Sequence, residues 1–265
     1  MTTGTVPKLS VTIITLDEAG HIAAAIESAA WADEIVVIDA GSTDGTPDIA
    51  RASGALVLTR DWTGYVEQKN FAADQAQHDW IFSLDADERI PAGLAAEVRA
   101  LLSSEPPLGG YRMPRVTHHL GRWIRTTDFY PDFQTRLYDR RRARWRGLHV
   151  HESVKVDGPV GNLKNELEHH SFRDLRDQLD RINRYTTLAA RQMYESGRRA
   201  GLIDLMVHPP AAFLRNYLLR RGILDGAAGF IISATNAYYV FLKFAKLWEL
   251  QRERPTQRSK VNGQN

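Results

Sequence analysis

Short apolar runs alternate with helical patterns along the first part of the chain. The runs are five to seven residues long and rich in β-branched residues, which is typical of buried strands. Four strands are predicted, at residues 9–15, 34–39, 55–59 and 80–84. Helical spacing or an initial proline predicts helices at residues 18–31, 47–53, 66–76 and 91–102. This alternation predicts a mostly parallel sheet with right-handed crossovers and flanking helices.

The pattern changes in the second half of the chain. Two more strands are predicted at residues 110–115 and 134–138, on either side of a long polar connection at 117–133. Residues 173–200 have the spacing of an amphipathic, arginine-rich helix, and residues 211–250 mix long apolar runs with basic residues. The sequence therefore predicts an α/β domain followed by a C-terminal helical extension.

Acidic side chains stand where the predicted strands end. Asp17 and Glu18 come after the first strand, Asp39 ends the second, and Asp85 and Asp87 follow the fourth. Sheets of this kind bind their ligands outside the carboxyl ends of the strands. We therefore predict a binding site at this edge of the sheet.

The Asp85-Ala86-Asp87 motif is the first candidate for chemistry at that edge. Carboxylates two residues apart on an extended segment project to the same side. They can hold a hard divalent cation and leave positions free for diphosphate oxygens. The alternative is a loop that caps the next helix, because Asp87 stands shortly before Pro91.

The segment from Asp39 to Thr46 (DAGSTDGT) is the second candidate. The Asp39 carboxylate can accept hydrogen bonds from a base or a ribose hydroxyl, and the glycines permit close backbone approach. The alternative is an ordinary turn in which Thr46 and Pro47 start the next helix, and both interpretations can hold together. Lys69 is a third candidate, as a point charge for a phosphate, although a single helical lysine is more often only solvated.

Charge is distributed unevenly, although the formal net charge is only +2. Residues 1–110 hold 6 Lys and Arg against 17 Asp and Glu, which suits a cation site. Residues 205–265 hold 9 against 3, which suits an anionic surface such as a phospholipid leaflet; ordinary solvated faces are the alternative. The chain has no cysteine, which excludes thiolate chemistry, and no G-x-G-x-x-G or Walker A motif. The N-terminal residues lack the pattern of a secretory signal.

The order TLDE, VVIDAGSTDGT, GYVEQKN and WIFSLDADERI resembles the family 2 glycosyltransferases with the GT-A fold. Later segments, among them RLYDR, LHVHESV, LEHHSF and FLRNYLLRRGILDGAAGFI, resemble the bacterial branch that includes the lipopolysaccharide-core β-1,4-glucosyltransferases. The resemblance implies an inverting transfer of a hexose from a nucleotide-diphosphate sugar, UDP-glucose, to a lipid-linked or lipopolysaccharide-core glycan. It also implies a divalent metal, Mn²⁺ or Mg²⁺, as cofactor.

The same resemblance implies roles for individual residues. The family commonly has asparagine where Asp17 stands, so a hydrogen bond donated by that amide would be lost or altered here. The implied donor-binding set is Thr15, Glu18, Asp39, Lys69 and Asp85, and the implied metal set is Asp87, Asp85 and His169.

Inverting transfer needs a general base near the acceptor hydroxyl. By resemblance, the His-Glu pair of HVHE takes the place of the acidic catalytic pair of relatives, so Glu152 is the predicted base. A structural role for His149 and His151 is the alternative. The residues predicted to bind the acceptor are Asp128, Asp132 and His151, and the two aspartates are also reserve candidates for the base.

We expect a GT-A catalytic domain at residues 1–170, with a donor half to about residue 110 and an acceptor half at 111–170. A helical, membrane-associating extension is expected at 171–250 and a disordered tail at 251–265. Residues 226–242 are uncharged but short for a span, and basic residues flank them, so a surface-lying element is predicted. A helical hairpin packed on the catalytic domain or on a second subunit is the alternative.

With this resemblance, we expect the chain in the cytoplasm, peripheral on the inner face of the bacterial inner membrane. The expected partners are the sugar donor, a glycolipid or lipopolysaccharide-core acceptor and an anionic membrane surface. No nucleic acid is expected, and a homo-oligomer is left open. Two alternative functions are a nucleotidyltransferase with a related α/β fold and a degenerate transferase that serves as a scaffold. The first would carry a basic, glycine-rich loop after strand one, where this chain reads TLDEAG.

Overall fold

The computed structural model describes residues 6–104, 106–147 and 152–252. The first part of the chain alternates strands and helices as the apolar pattern predicts, and each of the four predicted strands lies within one residue of its expected ends. The elements are β1 (Leu9–Thr15), α1 (Ile22–Ala29), β2 (Glu34–Asp39), α2 (Thr46–Ala52), β3 (Leu56–Thr59), α3 (Tyr65–Gln75), β4 (Trp80–Asp85), β5 (Glu88–Arg89) and α4 (Ala92–Ser103).

Helix α1 begins later than the pattern indicates, at Ile22 instead of Glu18. The residues before it form a turn whose N–H groups bind side chains of the neighbouring loop. Glu18 donates to Thr46 Oγ1 at 2.8 Å, and Ala19 donates to Asp44 Oδ2 at 2.9 Å. Because these backbone donors are satisfied outside a helix, the turn is stable without one.

The second part of the chain adds further strands. The predicted polar connection at 117–133 is wrong in part, because the strand that starts at Gly110 continues to His119 and pairs with a short strand that follows it. Buried Thr117 and His119 occupy positions where the pattern expects apolar side chains. The strands are β6 (Gly110–His119), β7 (Arg122–Ile124), β8 (Asp132–Asp139), β9 (Ala143–Arg146), β10 (Ser153–Val156), β11 (Gly161–Asn162) and β12 (Leu167–His169).

The main sheet has the strand order β3-β2-β1-β4-β8-β6-β12-β5, with β7 and β11 also paired to β6. Strands β1 to β4 are parallel, β8 is antiparallel to both of its neighbours, and β12 is parallel to β6. Ile13 in β1 lies opposite Val37 in β2 and Leu84 in β4, and Ile22 and Ile26 of α1 pack into the same core. The predicted α/β class with a mostly parallel sheet is confirmed.

Contacts divide the chain into two compact units. The first joins the residues up to Thr117 with Pro131–Ser171, and the second joins His118–Tyr130 with the residues from Phe172 onward. The sequence prediction put the boundary at residue 170 and assigned 118–130 to the acceptor half. Those domain limits stay a prediction, but the contacts give segment 118–130 to the helical unit.

The second unit is mostly helical, and α5 and α6 both pack on α7. Asp174 caps α5 by accepting the N–H of Asp177 at 2.8 Å. The last helix continues to Arg252, into the predicted disordered tail; residues 253–265 lie outside the described residues. The elements are α5 (Leu175–Glu195), α6 (Leu202–Leu214), a π-helical turn (Arg215–Leu219), a 3-10 turn (Gly222–Asp225) and α7 (Gly226–Arg252).

The helices within the described ranges differ in length and in apolar content. None of them combines the length and the apolar content that a bilayer crossing requires.

Candidate active site

Two loops at the carboxyl ends of β1 and β2 are joined by hydrogen bonds. Asp17 has a φ of 54°, a left-handed conformation in which Asp and Asn are favoured among non-glycine residues. Its Oδ1 accepts the Thr43 N–H at 2.8 Å, and its own N–H donates to Ser42 Oγ at 2.8 Å. An asparagine carbonyl oxygen would accept the same bond. Aspartate at this position therefore preserves the loop and changes only the second side-chain atom, from a donor to an acceptor.

The Asp39 carboxylate is buried inside its own turn, with 1% of the residue exposed. Its Oδ2 accepts the N–H groups of Gly41 and Ser42, both at 2.9 Å, and its Oδ1 accepts the Ser42 hydroxyl at 2.5 Å. These hydrogen bonds stabilise an ordinary turn, which was the alternative role predicted for this segment. The predicted contact of Asp39 with a nucleoside stays a prediction.

An open cavity of about 470 Å³ lies at the carboxyl ends of β2 and β3. Thr15, which ends β1 opposite Asp39, has a buried hydroxyl with no hydrogen-bond partner among the described residues. A buried polar atom without a partner is costly, so a bound group that supplied one would stabilise it. The cavity is lined by Asp39, Gly41, Ser42, Thr43, Gly45, Pro47, Asp48, Arg51 and Thr59.

Helix α3 carries a buried lysine to the end of β4. Lys69 Nζ lies 2.9 Å from Asp85 Oδ1 and 4.2 Å from the ring centroid of Trp145. Asn70 holds the tryptophan in place, because its side chain donates to the Trp145 carbonyl at 3.0 Å and accepts the Trp145 N–H at 3.1 Å. The QKN segment thus fixes both the Lys69 ammonium and the Trp145 ring that covers it. The sequence predicted Lys69 as a charge for a phosphate and did not predict its contact with the DAD motif.

Asp85 is held from its other side by Arg136 of β8, whose Nη2 donates to Asp85 Oδ2 at 2.5 Å. Burial alone would raise the pKa of Asp85, but the charges of Arg136 and Lys69 outweigh it and hold that pKa well below its ordinary value. Both carboxylate oxygens of Asp85 are therefore engaged by cations. To act as the predicted metal ligand, Asp85 would have to exchange one of these partners.

The same network extends to a fully buried glutamate. Glu88 accepts Arg136 Nη2 at 2.6 Å, Arg115 Nη1 at 2.9 Å and the Asp85 N–H at 3.0 Å. Arg115 also donates to Asp132 Oδ2, at 2.9 Å from Nε and 2.6 Å from Nη2. Charges in the network balance, which is the condition under which buried ions are tolerated. Its members are Lys69, Arg115, Arg136, Asp85, Glu88 and Asp132.

Asp87 is paired with His169, the residue that the sequence placed with it. Strand β12 is antiparallel to β5 and puts His169 opposite Glu88. His169 Nε2 lies 3.3 Å from Asp87 Oδ2, and its Nδ1 lies 3.5 Å from Thr117 Oγ1. Burial opposes ionisation of Asp87, but the hydrogen bond and charge of His169 lower its pKa. An imidazole and a carboxylate thus meet beside the DAD motif.

This pair fits an open metal site. The described residues contain no cluster of three or more His, Cys, Asp or Glu side chains arranged to hold an ion. Mn²⁺ and Mg²⁺ at nucleotide sites often take only one or two protein ligands and complete their shell with phosphate oxygens and water. Asp87 and His169 supply ligands of the right chemistry for such a site.

The predicted base, Glu152, stands directly before β10. Ser153 of β10 pairs with Arg146 of β9, so Glu152 lies at the end of the hairpin that also carries Trp145. One carboxylate oxygen, Oε2, is buried and has no hydrogen-bond partner among the described residues. His149 and His151 lie outside the described residues. The catalytic role of Glu152 stays a prediction.

The two reserve aspartates belong to different units. Asp132 binds Arg115 and accepts Gln134 Nε2 at 2.7 Å within the first unit. Asp128, in the second unit, forms an ion pair with Arg215 and accepts Asn236 Nδ2 at 3.2 Å. Both carboxylates are thus already engaged by guanidinium groups.

Several residues that build the site were not singled out by sequence reasoning, although three of them stand in segments that carry the family resemblance. Asn70 is the last residue of GYVEQKN. Glu88 follows the DAD motif directly, and Arg136 is the first residue of RLYDR. Their role depends on β8 lying next to β4, which no local pattern shows. The residues missed are Asn70, Glu88, Arg115, Arg136 and Trp145.

A protein-family model described as "Glycosyl transferase family 2" matches residues 10–156 of this chain, which include β1 to β10 and every acidic residue of the DAD region. The chain belongs to this family. It is therefore a family 2 glycosyltransferase, as its motifs indicated, and the nucleotidyltransferase alternative is set aside.

Relatives of this glycosyltransferase match along almost the whole chain. It is 35% identical to "Lipopolysaccharide core biosynthesis glycosyltransferase LpsC" of Rhizobium meliloti strain 1021, over 92% of this chain and 94% of the relative. It is 30% identical to an uncharacterized glycosyltransferase of Rickettsia felis, over 97% and 98% of the two chains. The similarity thus includes the helical second unit.

A solved structure supports the fold assignment. The mannosyltransferase PcManGT from Pyrobaculum calidifontis, in complex with GDP-Man and Mn²⁺, superposes with a TM-score of 0.55 over 94% of this chain and 89% of its own. The two are 16% identical, so the likeness concerns the fold. The GT-A architecture expected for this glycosyltransferase is confirmed.

Proposed function

We propose that this glycosyltransferase moves a hexose from a nucleotide-diphosphate sugar, UDP-glucose, to a lipid-linked or lipopolysaccharide-core glycan, with inversion at the anomeric carbon. The observation that carries the proposal is the pairing at the end of β4. There Asp85 is bound to Lys69, and Asp87 is bound to His169. A donor diphosphate needs positive charge and a carboxylate that can bind a metal, and the positions of Lys69, Asp87 and His169 support this assignment.

Asp87 and His169 are the residues that would hold the divalent metal. When bound, the cation supplies positive charge to the diphosphate of the leaving group. Lys69 is a second source of positive charge, because its ammonium is buried next to the same motif. Thr15, Glu18 and the Asp39 loop are the proposed nucleoside contacts.

Glu152 is the proposed base. In an inverting transfer the acceptor hydroxyl oxygen forms a bond to the anomeric carbon, the bond to the diphosphate oxygen breaks, and a base takes the hydroxyl proton. Glu152 Oε2 is buried and has no hydrogen-bond partner in the described part of the chain, so it is freer to reach an acceptor hydroxyl than Asp128 or Asp132, which are bound to arginine. Those two aspartates and His151 are proposed to orient the acceptor.

The relatives support the substrate classes, a nucleotide sugar as donor and a lipopolysaccharide-core glycan as acceptor. The name of the Rhizobium meliloti protein assigns it to lipopolysaccharide-core biosynthesis, and the Pyrobaculum calidifontis structure holds a nucleotide sugar with Mn²⁺. An acceptor of this kind is anchored in a membrane. We therefore infer a place of action at the inner face of the bacterial inner membrane, with the chain bound peripherally.

A donor screen tests the proposal. UDP-, GDP- and dTDP-sugars are offered to the full-length protein with Mn²⁺, with Mg²⁺ or with excess chelator, and release of nucleoside diphosphate is measured. We expect release and thermal protection with a UDP-hexose and metal, and neither with chelator. Asp157→Asn, an exposed carboxylate away from the motif, is the control and should match wild type, whereas Asp87→Asn should not. Equal behaviour of all donors, or no turnover with any, would count against the proposal.

A further inference from the structure

Helix α6 exposes an apolar face to solvent. Three of its side chains are among the most exposed large hydrophobics of the chain: Leu202 at 69%, Ile203 at 76% and Met206 at 67%. Val207 and Leu214 continue the same stripe and are both more than half exposed. Residues three, four, seven and eleven apart share one face of a helix, so these side chains form one continuous surface.

The opposite face of α6 is apolar as well, and it is the one that packs inside the second unit. Pro209 is buried, and Leu205 packs in the cluster that contains Phe244 and Leu247 of α7. Apart from Asp204 and His208, which lie 3.3 Å from each other, the helix is apolar, and helices of this kind normally lie in a protein core or against a membrane. The packed face accounts for only half of the apolar residues of α6, and the exposed half lacks a partner within the described residues.

Exposed arginine pairs flank α6 in the chain, and Arg220 of the second pair also lies 3.7 Å from Asp128. Arg198 and Arg199 precede the helix, and Arg220 and Arg221 follow the π-helical turn. Asp204 is the only acidic residue between the two pairs. A helix of this length extends about 20 Å, so positive charge brackets an apolar surface of about that length.

We propose that α6 lies in the interface of an anionic phospholipid membrane, with Ile203, Met206, Val207 and Leu214 among the acyl chains and the arginine pairs at the headgroup phosphates. Interfacial helices combine apolar faces with basic residues in this way, and each basic residue near an anionic leaflet adds attraction. We call the four apolar residues the α6 surface.

The proposed helix lies within the membrane-associating extension expected at 171–250, but ahead of residues 226–242, where the sequence predicted the surface-lying element. The uncharged start of α7 is instead occupied by packing inside the unit, since Ala228, Gly229, Ile232 and Ser233 are all buried. Exposed apolar side chains form a continuous stripe on α6, and Leu219, Leu224 and Phe230 beyond it are exposed as well.

A second copy of the chain is the rival occupant, and the charges disfavour it. Both ends of α6 are basic, so two copies packed face to face along this helix would bring arginine pairs together in either orientation. Like charges at close range are destabilising. An anionic bilayer meets both ends with the opposite charge.

The proposal rests on the proposed function in one respect, namely that the acceptor is bound to a membrane. The test measures binding to vesicles and requires no sugar transfer. Full-length protein is mixed with vesicles of phosphatidylcholine alone, or of phosphatidylcholine and phosphatidylglycerol in equal parts, and the bound fraction is measured by flotation. The variants are Ile203→Asn with Val207→Asn, and Arg220→Gln with Arg221→Gln. The controls are Leu188→Asn, an exposed leucine of α5, and Arg176→Gln with Arg191→Gln, exposed arginines on α5.

We expect binding to the anionic vesicles, little to the neutral ones, and a loss of more than about tenfold in affinity in each α6 variant. The controls should bind like wild type, and circular dichroism should show that all variants are folded. Unchanged binding by both variants, or no binding by wild type, would overturn the proposal. A wild-type dimer that Ile203→Asn with Val207→Asn makes monomeric would also overturn it in favour of a second copy. If donor turnover fails while vesicle binding behaves as expected, only the proposed function is lost.

Discussion

Arg136 and Asp85 face each other across neighbouring strands β8 and β4, with 2.5 Å between Nη2 and Oδ2. The same nitrogen also donates to Glu88 at 2.6 Å, so one buried guanidinium fixes the first carboxylate of the DAD motif and the glutamate behind it. The arrangement of the DAD motif therefore depends on the buried guanidinium of Arg136 as well as on the two aspartates of the motif.

Arg136→Met should destabilise the fold by about 3–5 kcal/mol, because it leaves Glu88 and Asp85 buried without their shared partner. Urea unfolding measures the loss. Adding Glu88→Gln to the same chain should restore part of it, since one uncompensated charge is removed. If the double variant is no more stable than Arg136→Met alone, the pairing is not what holds the network together.

Asp87→Asn should abolish metal-dependent donor binding while the fold survives, because Asp87 is the acidic partner of His169 at the proposed metal site. Calorimetric titration of UDP with and without Mn²⁺ measures the effect, with Asp157→Asn as control. Asp85→Asn should instead reduce stability, since both of its oxygens bind cations. Metal-dependent binding that survives Asp87→Asn and His169→Ala would remove the site from this pair.

Asp39→Ala should lower stability by about 1–3 kcal/mol, because three hydrogen bonds in the turn lose their acceptor. Asp39→Asn can keep those bonds, since the Ser42 hydroxyl can accept from the amide, and should stay near wild-type stability. Nucleotide affinity of Asp39→Asn then reports on the charge alone. An unchanged affinity would leave Asp39 with its turn role only.

Glu152→Gln should reduce the rate of sugar transfer by about a hundredfold or more and leave donor and metal affinity nearly intact. The change removes the proton-accepting charge of a carboxylate whose Oε2 has no partner among the described residues. Transfer kinetics and nucleotide titration measure the two effects. A near wild-type rate in this variant, together with loss of transfer in Asp132→Asn or Asp128→Asn, would move the base to one of those residues.

His119 should make stability depend on pH. Burial lowers its pKa, although its hydrogen bond to Gln178 at 3.0 Å opposes this. Because the folded pKa lies below the unfolded one, stability is fully present above about pH 6.5 and falls as the pH drops through the folded pKa. Urea unfolding between about pH 7.5 and about pH 5.5 should show a shallower decline for His119→Gln than for wild type or His78→Gln. If stability declined equally with pH in all three proteins, His119 would not be the source of the pH dependence.

Sequence reasoning succeeded where structure is local. The runs LSVTIIT, EIVVID and WIFSL are contiguous and apolar, so their strands follow from burial alone, and the acids that follow them must meet at one edge of a parallel sheet. The Asp87–His169 contact was expected only through the family resemblance. The pairing of β12 with β5 brings these two residues together, and no local sequence pattern predicts that pairing.

The remaining features depend on strand order and on which faces are covered. Arg136 reaches Asp85 only because β8 lies beside β4, and Trp145 covers Lys69 only because Asn70 clamps β9 to α3. Periodicity also cannot show which side of an apolar helix the rest of the unit covers. For that reason the exposed face of α6 could not be distinguished from the packed start of α7.

The most direct test of the account is the initial rate of hexose transfer from UDP-glucose to a core-truncated lipopolysaccharide, with Mn²⁺ and with excess chelator, read as labelled glycolipid. We expect transfer that requires metal, a product linkage inverted relative to the donor, and loss of transfer in Asp87→Asn but not in Asp157→Asn. Full activity in chelator, or retention of the donor's anomeric configuration in the product, would contradict this expectation.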